Sequence, residues 1–334
     1  MTPFVSIIIP CRNEERYIDK CLTSIINSTY PKESLEVLVV DGNSMDKTRE
    51  IVHTFLSHYP YIRLLDNPKR IAPSALNIGI LAAQGEFILR MDAHTEYPKD
   101  YCERLVSQSI SLNATNIGGV CKTDILHLTN TANAIKNVLS DLFGIGNSLF
   151  RLGILEITEV DTVPFGCYPR NIFDKYGLFD ERLIRNQDIE FNKRIIRGGG
   201  KIYLLPDVTC TYYVRETYSD LARNNYQNGY WNILTPYYTR TLNSLSLRHF
   251  IPLLFVMALI IPTLLSPFYY PLLCIAIIIA VIYLTIIGRR AWKIKNNTTW
   301  FHQLWAFITL HFSYGFGSIG GIISLTKQIL LKDL

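Results

Sequence analysis

Apolar runs and amphipathic stretches alternate along the N-terminal part of the chain. Positions 4–9 are apolar apart from Ser6, and 15–28 has helical spacing through Tyr17, Cys21, Leu22, Ile25 and Ile26. The rhythm repeats as a strand at 35–40, a helix at 46–56, a strand at 61–65, a helix at 73–83 with proline near its start, and a strand at 87–91. Strands alternating with helices predict a parallel sheet covered on both faces. No internal repeat or low-complexity segment interrupts the pattern.

The pattern changes after position 249. From Phe250 to Ile287 there is no Asp, Glu, Lys, Arg or His, and from Asn296 to Thr326 the only ionisable side chains are His302 and His311. A helix rises about 1.5 Å per residue and a bilayer core is about 30 Å thick, so the first run is roughly twice one crossing and reads as a hairpin. Pro262, Pro267 and Pro271 mark its turn, with spans near 250–266 and 269–288. A weaker third candidate, 303–325, carries Gly315, Gly317, Gly320 and Gly321, which favour close helix packing and lower its hydrophobicity.

Arg289, Arg290, Lys293 and Lys295 follow the hairpin without an acid among them, and the positive-inside rule places that loop in the cytosol. Two crossings return the chain to its starting side, so the expectation is a multi-pass protein of the cell membrane with its N-terminal domain cytosolic. A third crossing would leave Lys327 and Lys332 outside. Positions 4–9 are too short for a secretory signal. The seven cysteines show no CxxC pairing and are assigned packing roles in a reducing compartment. The net charge of +5 owes much to the juxtamembrane cations, which suit anionic lipid headgroups and not nucleic acid.

Ligands of an open parallel sheet bind beyond the carboxyl ends of its strands. Here those ends are followed by Arg12, Asn13 and Glu14, by Asp41, Asn43 and Asp46, by Lys69 and Arg70, and by Asp92 and His94. Four strands thus send charged residues to one edge. No GxGxxG opens the first helix and no GxxxxGK[ST] occurs, which excludes dinucleotide and P-loop signatures. Asp92 and His94 point to one side of an extended segment, where they either share a divalent ion, Mn²⁺ or Mg²⁺, or hydrogen-bond to each other. An ion there would neutralise charge building on a departing diphosphate.

Ser6-Ile-Ile-Ile-Pro-Cys-Arg-Asn-Glu14, Val40-Asp-Gly-Asn-Ser-Met-Asp46, Arg90-Met-Asp-Ala-His94 and Asn186-Gln-Asp188 together resemble, in order and spacing, the family 2 glycosyltransferases of GT-A fold. The likeness is nearest to bacterial exopolysaccharide glucosyltransferases of the succinoglycan type. It implies an inverting transferase moving a hexose, glucose by that resemblance, from a UDP-sugar to a lipid-linked saccharide. Pro10, Arg12, Glu14, Asp41, Arg70 and Asp92 would then bind the donor, with Asp41 reading the base and Glu14 the ribose. Asp92 and His94 would hold the metal, and Asp188 would be the general base; the other reading of Asp188, like that of Asn186, is a helix cap. Gly166 would lie on an acceptor-side loop.

Gln227-Asn-Gly-Tyr-Trp231 is similar to the Gln-x-x-Arg-Trp of processive synthases, with Tyr230 in the arginine position, which counts against processive synthesis. Gln227 and Trp231 would approach the acceptor or diphosphate, or else Tyr226, Tyr230, Trp231, Tyr237 and Tyr238 form an aromatic belt on an interfacial helix. The expected domains are a GT-A catalytic domain at 1–240 and a membrane region at 250–326. The former divides into a nucleotide half at 1–120, an acceptor half at 121–215 and the interfacial helix at 216–240. Two other functions fit the residues: a synthase loading sugar onto a polyprenyl phosphate, and a silent nucleotide-sugar binder.

Overall fold

The computed structural model describes residues 2–241 and 247–331 of the 334-residue chain; Lys332 lies outside them. In chain order the elements are β1 (Val5–Cys11), α1 (Ile18–Ile26), β2 (Leu35–Asp41), α2 (Thr48–Leu56), β3 (Ile62–Asp66), α3 (Ala72–Ala82), β4 (Phe87–Arg90), β5 (Thr95–Glu96), α4 (Tyr101–Ser111), β6 (Asn116–Asp124), α5 (Asn130–Val138), α6 (Leu142–Ile145), α7 (Leu149–Leu152), β7 (Thr158–Glu159), β8 (Cys167–Pro169), α8 (Asn171–Tyr176), α9 (Gln187–Arg197), β9 (Ile202–Tyr213), α10 (Tyr218–Thr239), α11 (Ile251–Leu265), α12 (Pro271–Ile294) and α13 (Trp300–Leu330). They form two compact units, Met1–Asp124 with Leu149–Tyr213, and Ile125–Ser148 with Val214–Leu334.

The first unit is built on one sheet with strand order β3-β2-β1-β4-β8-β6-β9-β5, with β7 paired to β9. β1 lies between β2 and β4 and is parallel to both, with Ile7 opposite Val37 and Ile8 opposite Arg90. Such a strand is covered on both faces and therefore reads as an unbroken apolar run. Alternation sends Ile7, Ile9, Val37, Val39 and Leu89 to the face covered by α1 and α4. Ile8, Leu38, Val40 and Ile88 go to the other, where Leu76, Phe173 and Phe191 of α3, α8 and α9 pack.

The sequence-predicted α/β alternation is present through β4, with ends within a few residues. The second half of the sheet was not legible, because β8 inserts antiparallel between β4 and β6 although it follows them in sequence. β6 and β9 then run parallel to each other. Six strands, β1 to β4, β6 and β9, consequently share a direction and deliver their ends to the same edge.

In the second unit α10 lies parallel to α13. Tyr218 Oη donates to the carbonyl of His302 at 3.0 Å, Ser318 Oγ to that of Gly229 at 3.2 Å, and Tyr230 Oη to Ser324 Oγ at 2.8 Å, so the contacts rise together along both helices. A Cβ on Gly317 would collide with the Tyr226 carbonyl, and one on Gly229 with that of Tyr314. Small residues let the two backbones touch, as in membrane helix pairs. Gly317→Leu is expected to force α10 and α13 apart at about 1–3 kcal/mol, read as a lower melting temperature of the detergent-solubilised protein.

The hydrophobic segments differ from their sequence ranking. The segment containing the four glycines is a continuous helix of 31 residues, because its glycines are held against neighbouring helices. The first span of the hairpin yields only the 15 residues of α11, about 22 Å of rise, and the second is α12. Pro262, expected at the turn, lies inside α11, whereas Pro271 begins α12. α12 and α13 are the two described helices long and apolar enough to cross a membrane.

Candidate active site

The turns at the carboxyl ends of β1 and β2 are laced together. Asn13 N–H donates to Ser44 Oγ at 2.8 Å, and Asn13 Oδ1 accepts from Met45 N–H at 2.9 Å. Glu14 N–H donates to Thr48 Oγ1 at 2.7 Å. Asp46 accepts from the Thr48 amide and hydroxyl and from the Glu15 amide. Burial works against its charge, but these bonds prevail and hold its pKa below the usual carboxylate value.

Asp41 ends β2 and is fully buried. Its carboxylate accepts from Ser44 N–H at 3.1 Å, Ser44 Oγ at 2.5 Å and Arg49 Nη1 at 2.8 Å. Arg49 also reaches Asp66 at 2.7 Å and so ties the ends of β2 and β3 together. Sequence reasoning missed Arg49, which belongs to no motif. Arg12 is exposed and lies over Gly42, while Pro10 is half-buried. Arg70 is exposed in the turn after β3 with φ 58°.

The segment following β4 brings three of the expected residues into contact. His94 Nδ1 is 3.0 Å from Asp92 Oδ1 and 3.6 Å from Glu14 Oε1. The Tyr212 ring meets the imidazole edge-on at 4.7 Å, and the Asp92 backbone N–H donates to Tyr97 Oη at 2.7 Å. Burial opposes the imidazolium, yet Asp92, Tyr212 and Glu14 outweigh it and raise the His94 pKa well above its ordinary value.

Asp188 lies in the first turn of α9, after Asn186 in the left-handed region at φ 63°. Its Oδ1 accepts from Ile189 N–H at 2.9 Å, and Arg90 Nη1 stands 3.2 Å from its Oδ2. Asn13, Asn43, Arg70, Phe165 and Asn186 all have positive φ, a conformation that costs free energy in non-glycine residues and gathers at functional sites. All five flank this edge of the sheet.

Gly166 has a packing role. A Cβ there would collide with Asn116 Oδ1 and come within 2.6 Å of Tyr168 Oη, while its carbonyl accepts from Arg90 N–H at 3.0 Å. Gly166→Ala is expected to cost about 1–3 kcal/mol, measured by thermal unfolding. Gln227 and Trp231 lie on α10 in the second unit, where Trp231 is buried and stacks on Tyr238. A cavity of about 390 Å³ beside Asn171, Lys175 and Lys201 opens at the amino edge of the sheet, opposite the edge that carries Asp41 and Asp92.

Among the described residues no three His, Cys, Asp or Glu side chains are grouped to hold a metal ion. Asp92 and His94 still suit one, since Mg²⁺ and Mn²⁺ beside phosphates use only one or two protein ligands. Their 3.0 Å separation is that of two adjacent ligands about 2.1 Å from one ion, and the buried His94 Nδ1 makes no well-directed hydrogen bond among the described residues.

A largely parallel sheet with charged turns gathered at one edge is the architecture of the GT-A transferases. Two solved structures share this fold. A mannosyltransferase from Pyrobaculum calidifontis, solved with GDP-Man and Mn²⁺, superposes with a TM-score of 0.58 at 18% identity, covering 94% of this chain and 87% of that one. TarS 1–349 of S. aureus gives 0.53 at 16% identity, covering 94% and 90%.

The glycosyl transferase family 2 model matches residues 6–177, and the chain belongs to that family. It is 31% identical to the dolichyl N-acetyl-alpha-D-glucosaminyl phosphate 3-beta-D-2,3-diacetamido-2,3-dideoxy-beta-D-glucuronosyltransferase of Methanococcus voltae, over 78% of this chain and 86% of that protein. It is also 31% identical to the succinoglycan biosynthesis protein ExoA of Rhizobium meliloti, over 63% of each. The protein is a glycosyltransferase.

Proposed function

We propose that the chain transfers a hexose, glucose by its resemblance, from a UDP-sugar to a lipid-linked saccharide with inversion, during synthesis of an exopolysaccharide or other cell-surface glycan. The observation that carries this reading is the pair of acidic stations at one sheet edge: Asp92 with His94 and Glu14, and Asp188 joined to the segment before Asp92 through Arg90. The Methanococcus relative, which by its name acts on a dolichyl-linked sugar, supports the acceptor class.

In this reading the turn holding Pro10, Arg12 and Glu14 receives the nucleoside, and Arg70 approaches its phosphates. Asp41 shapes the base site through Ser44 and Arg49, and meets the base by exchanging one of those bonds. Asp92 and His94 would hold a divalent ion, which supplies countercharge for the departing diphosphate. Asp188 takes the proton of the acceptor hydroxyl as that oxygen attacks the anomeric carbon from the face opposite the diphosphate. One displacement inverts the centre, so an α-linked donor gives a β-linkage.

The membrane side follows from the second unit. The cations at 289–295, which the structure places in the last turns of α12 and its C-cap and not in a loop, favour the cytosolic face of the cell membrane. Of these, Arg290 is ion-paired to Asp141, which in sequence lies between β6 and α7 of the catalytic unit. That connectivity supports a cytosolic catalytic unit.

The test supplies radiolabelled UDP-sugars, with Mn²⁺ and a lipid extract, to membranes containing the protein. One donor is expected to pass its sugar to a solvent-extractable lipid that releases a di- or oligosaccharide on mild acid, with the new linkage open to a β-glycosidase. A labelled monosaccharide released from a polyprenyl phosphate would instead establish the synthase. Donor binding without transfer would leave only a nucleotide-sugar binder.

A further inference from the structure

We infer that Arg90 is the positioning residue of the general base: its guanidinium fixes the Asp188 carboxylate toward the acceptor. This rests on the assignment of Asp188 above and goes beyond it, since Arg90 belongs to neither the donor-binding nor the metal-binding set.

Alternation along β4 carries the first step. Phe87, Leu89 and Met91 enter the core on the α1 and α4 face, so Ile88 and Arg90 point to the opposite face. That is the face on which α9 packs through Phe191 and Ile195. A long side chain at position 90 therefore lies beneath the first turn of α9, where Asp188 sits. The contact is seen at 3.2 Å, with the Arg90 side chain only 14% exposed and that of Asp188 32% exposed.

Both carboxylate oxygens of Asp188 are thereby directed. Oδ1 is held by Ile189 N–H, a bond local to α9, while Oδ2 is held by Arg90 from the sheet. The first bond orients the carboxylate relative to its helix. Only the second orients it relative to β4 and the segment after it that carries Asp92, and hence to the donor. An in-line displacement needs that relation, because a misplaced base loses rate without losing donor affinity.

Stability alone does not account for Arg90. Taking a guanidinium out of water costs free energy that one ion pair seldom repays, and apolar residues commonly replace buried pairs without loss. Arg90 Nε is buried with no hydrogen-bond partner, a further cost that a leucine or methionine would avoid. Burial opposes its charge, and Asp188, Asp92 and Tyr168 sustain it. A planar cation can direct a carboxylate oxygen, which an apolar side chain cannot do.

The experiment is a double-mutant cycle on the full-length membrane protein, comparing wild type, Arg90→Gln, Asp188→Asn and the double variant with donor and lipid acceptor. Arg90→Gln is expected to lower kcat about ten- to hundredfold, the value of one charged hydrogen bond, with donor and acceptor KM changed by less than about threefold. In the Asp188→Asn background the same change is expected to cost less than about twofold, because the group it positions is gone.

Equal losses in both backgrounds overturn the inference and leave the assignment of Asp188 standing. Wild-type turnover by Asp188→Asn instead removes that assignment, and this inference with it. If Arg90→Gln does not fold, Arg90→Lys carries the same cycle, with an expected loss of a few fold in the wild-type background and none in the other. Equal losses from the lysine variant overturn it equally.

Discussion

Asp188→Asn is expected to lower kcat for sugar transfer by about 10²–10⁴-fold, the usual contribution of a positioned general base. Donor KM should change by less than about threefold, because Asp188 is assigned to the acceptor hydroxyl. The substitution isolates the chemistry. Asparagine keeps the shape of the side chain and an oxygen that accepts from Ile189 N–H at the start of α9. If Asp188 served only the helix start, asparagine would do nearly as well there, stability would move by a few tenths of a kcal/mol, and turnover would stay intact. Steady-state kinetics beside a melting curve separates the two roles. A variant with native melting temperature and native kcat would end the assignment.

The charged edge was legible in the sequence for a simple reason. Parallel strands start on one side and end on the other, so the polar residues after β1, β2, β3 and β4 had to share an edge. The Asp92–His94 contact was legible too, since residues two apart in an extended segment face the same way. Asp41 shows where local reasoning stops. Its sequence context marks it as part of the site, but its partner Arg49 enters from the first turn of α2 and matches no motif.

The bond from Arg90 to Asp188 spans 98 positions and depends on α9 covering one face of β4. Periodicity within either element does not contain that information. The same holds for β8, whose three residues lie between β4 and β6 only because the chain returns there after three further helices, α5 to α7, and the strand β7.

In the apolar C-terminal segments, composition located the first two helices within a few residues but underrated the third. Hydropathy counts each glycine in α13 as a loss, whereas packing uses Gly315 against Val256 and Gly317 against Tyr226 to bring backbones together. Conversely, α11 has the strongest apolar character and the shortest helix, because the chain turns at Ser266 after only 15 helical residues. Length is set by where the chain turns, and the turn falls at Pro267, between α11 and Pro271 at the start of α12, while Pro262 remained helical.

Removing divalent cations is expected to lower transfer at least a hundredfold, with Mn²⁺ restoring it better than Mg²⁺. The donor set is the reason. Asp92 offers oxygen and His94 offers nitrogen, and imidazole favours Mn²⁺ where a second carboxylate would favour Mg²⁺ equally well. Asp92→Asn should reproduce the loss and resist rescue by excess Mn²⁺, because the charged ligand is gone. His94→Ala should raise the Mn²⁺ concentration needed for half-maximal rate while preserving most of the maximum, since one ligand and the diphosphate remain. His94→Asp replaces nitrogen with oxygen and should raise the Mg²⁺-supported rate relative to Mn²⁺. That reversal is the sharpest part of the prediction: a mere Asp92–His94 contact, lost in either histidine variant, offers no reason for the metal preference to change with the donor atom. Full activity in chelator, together with full activity of Asp92→Asn, would show that the pair is only a polar contact shaping the turn after β4.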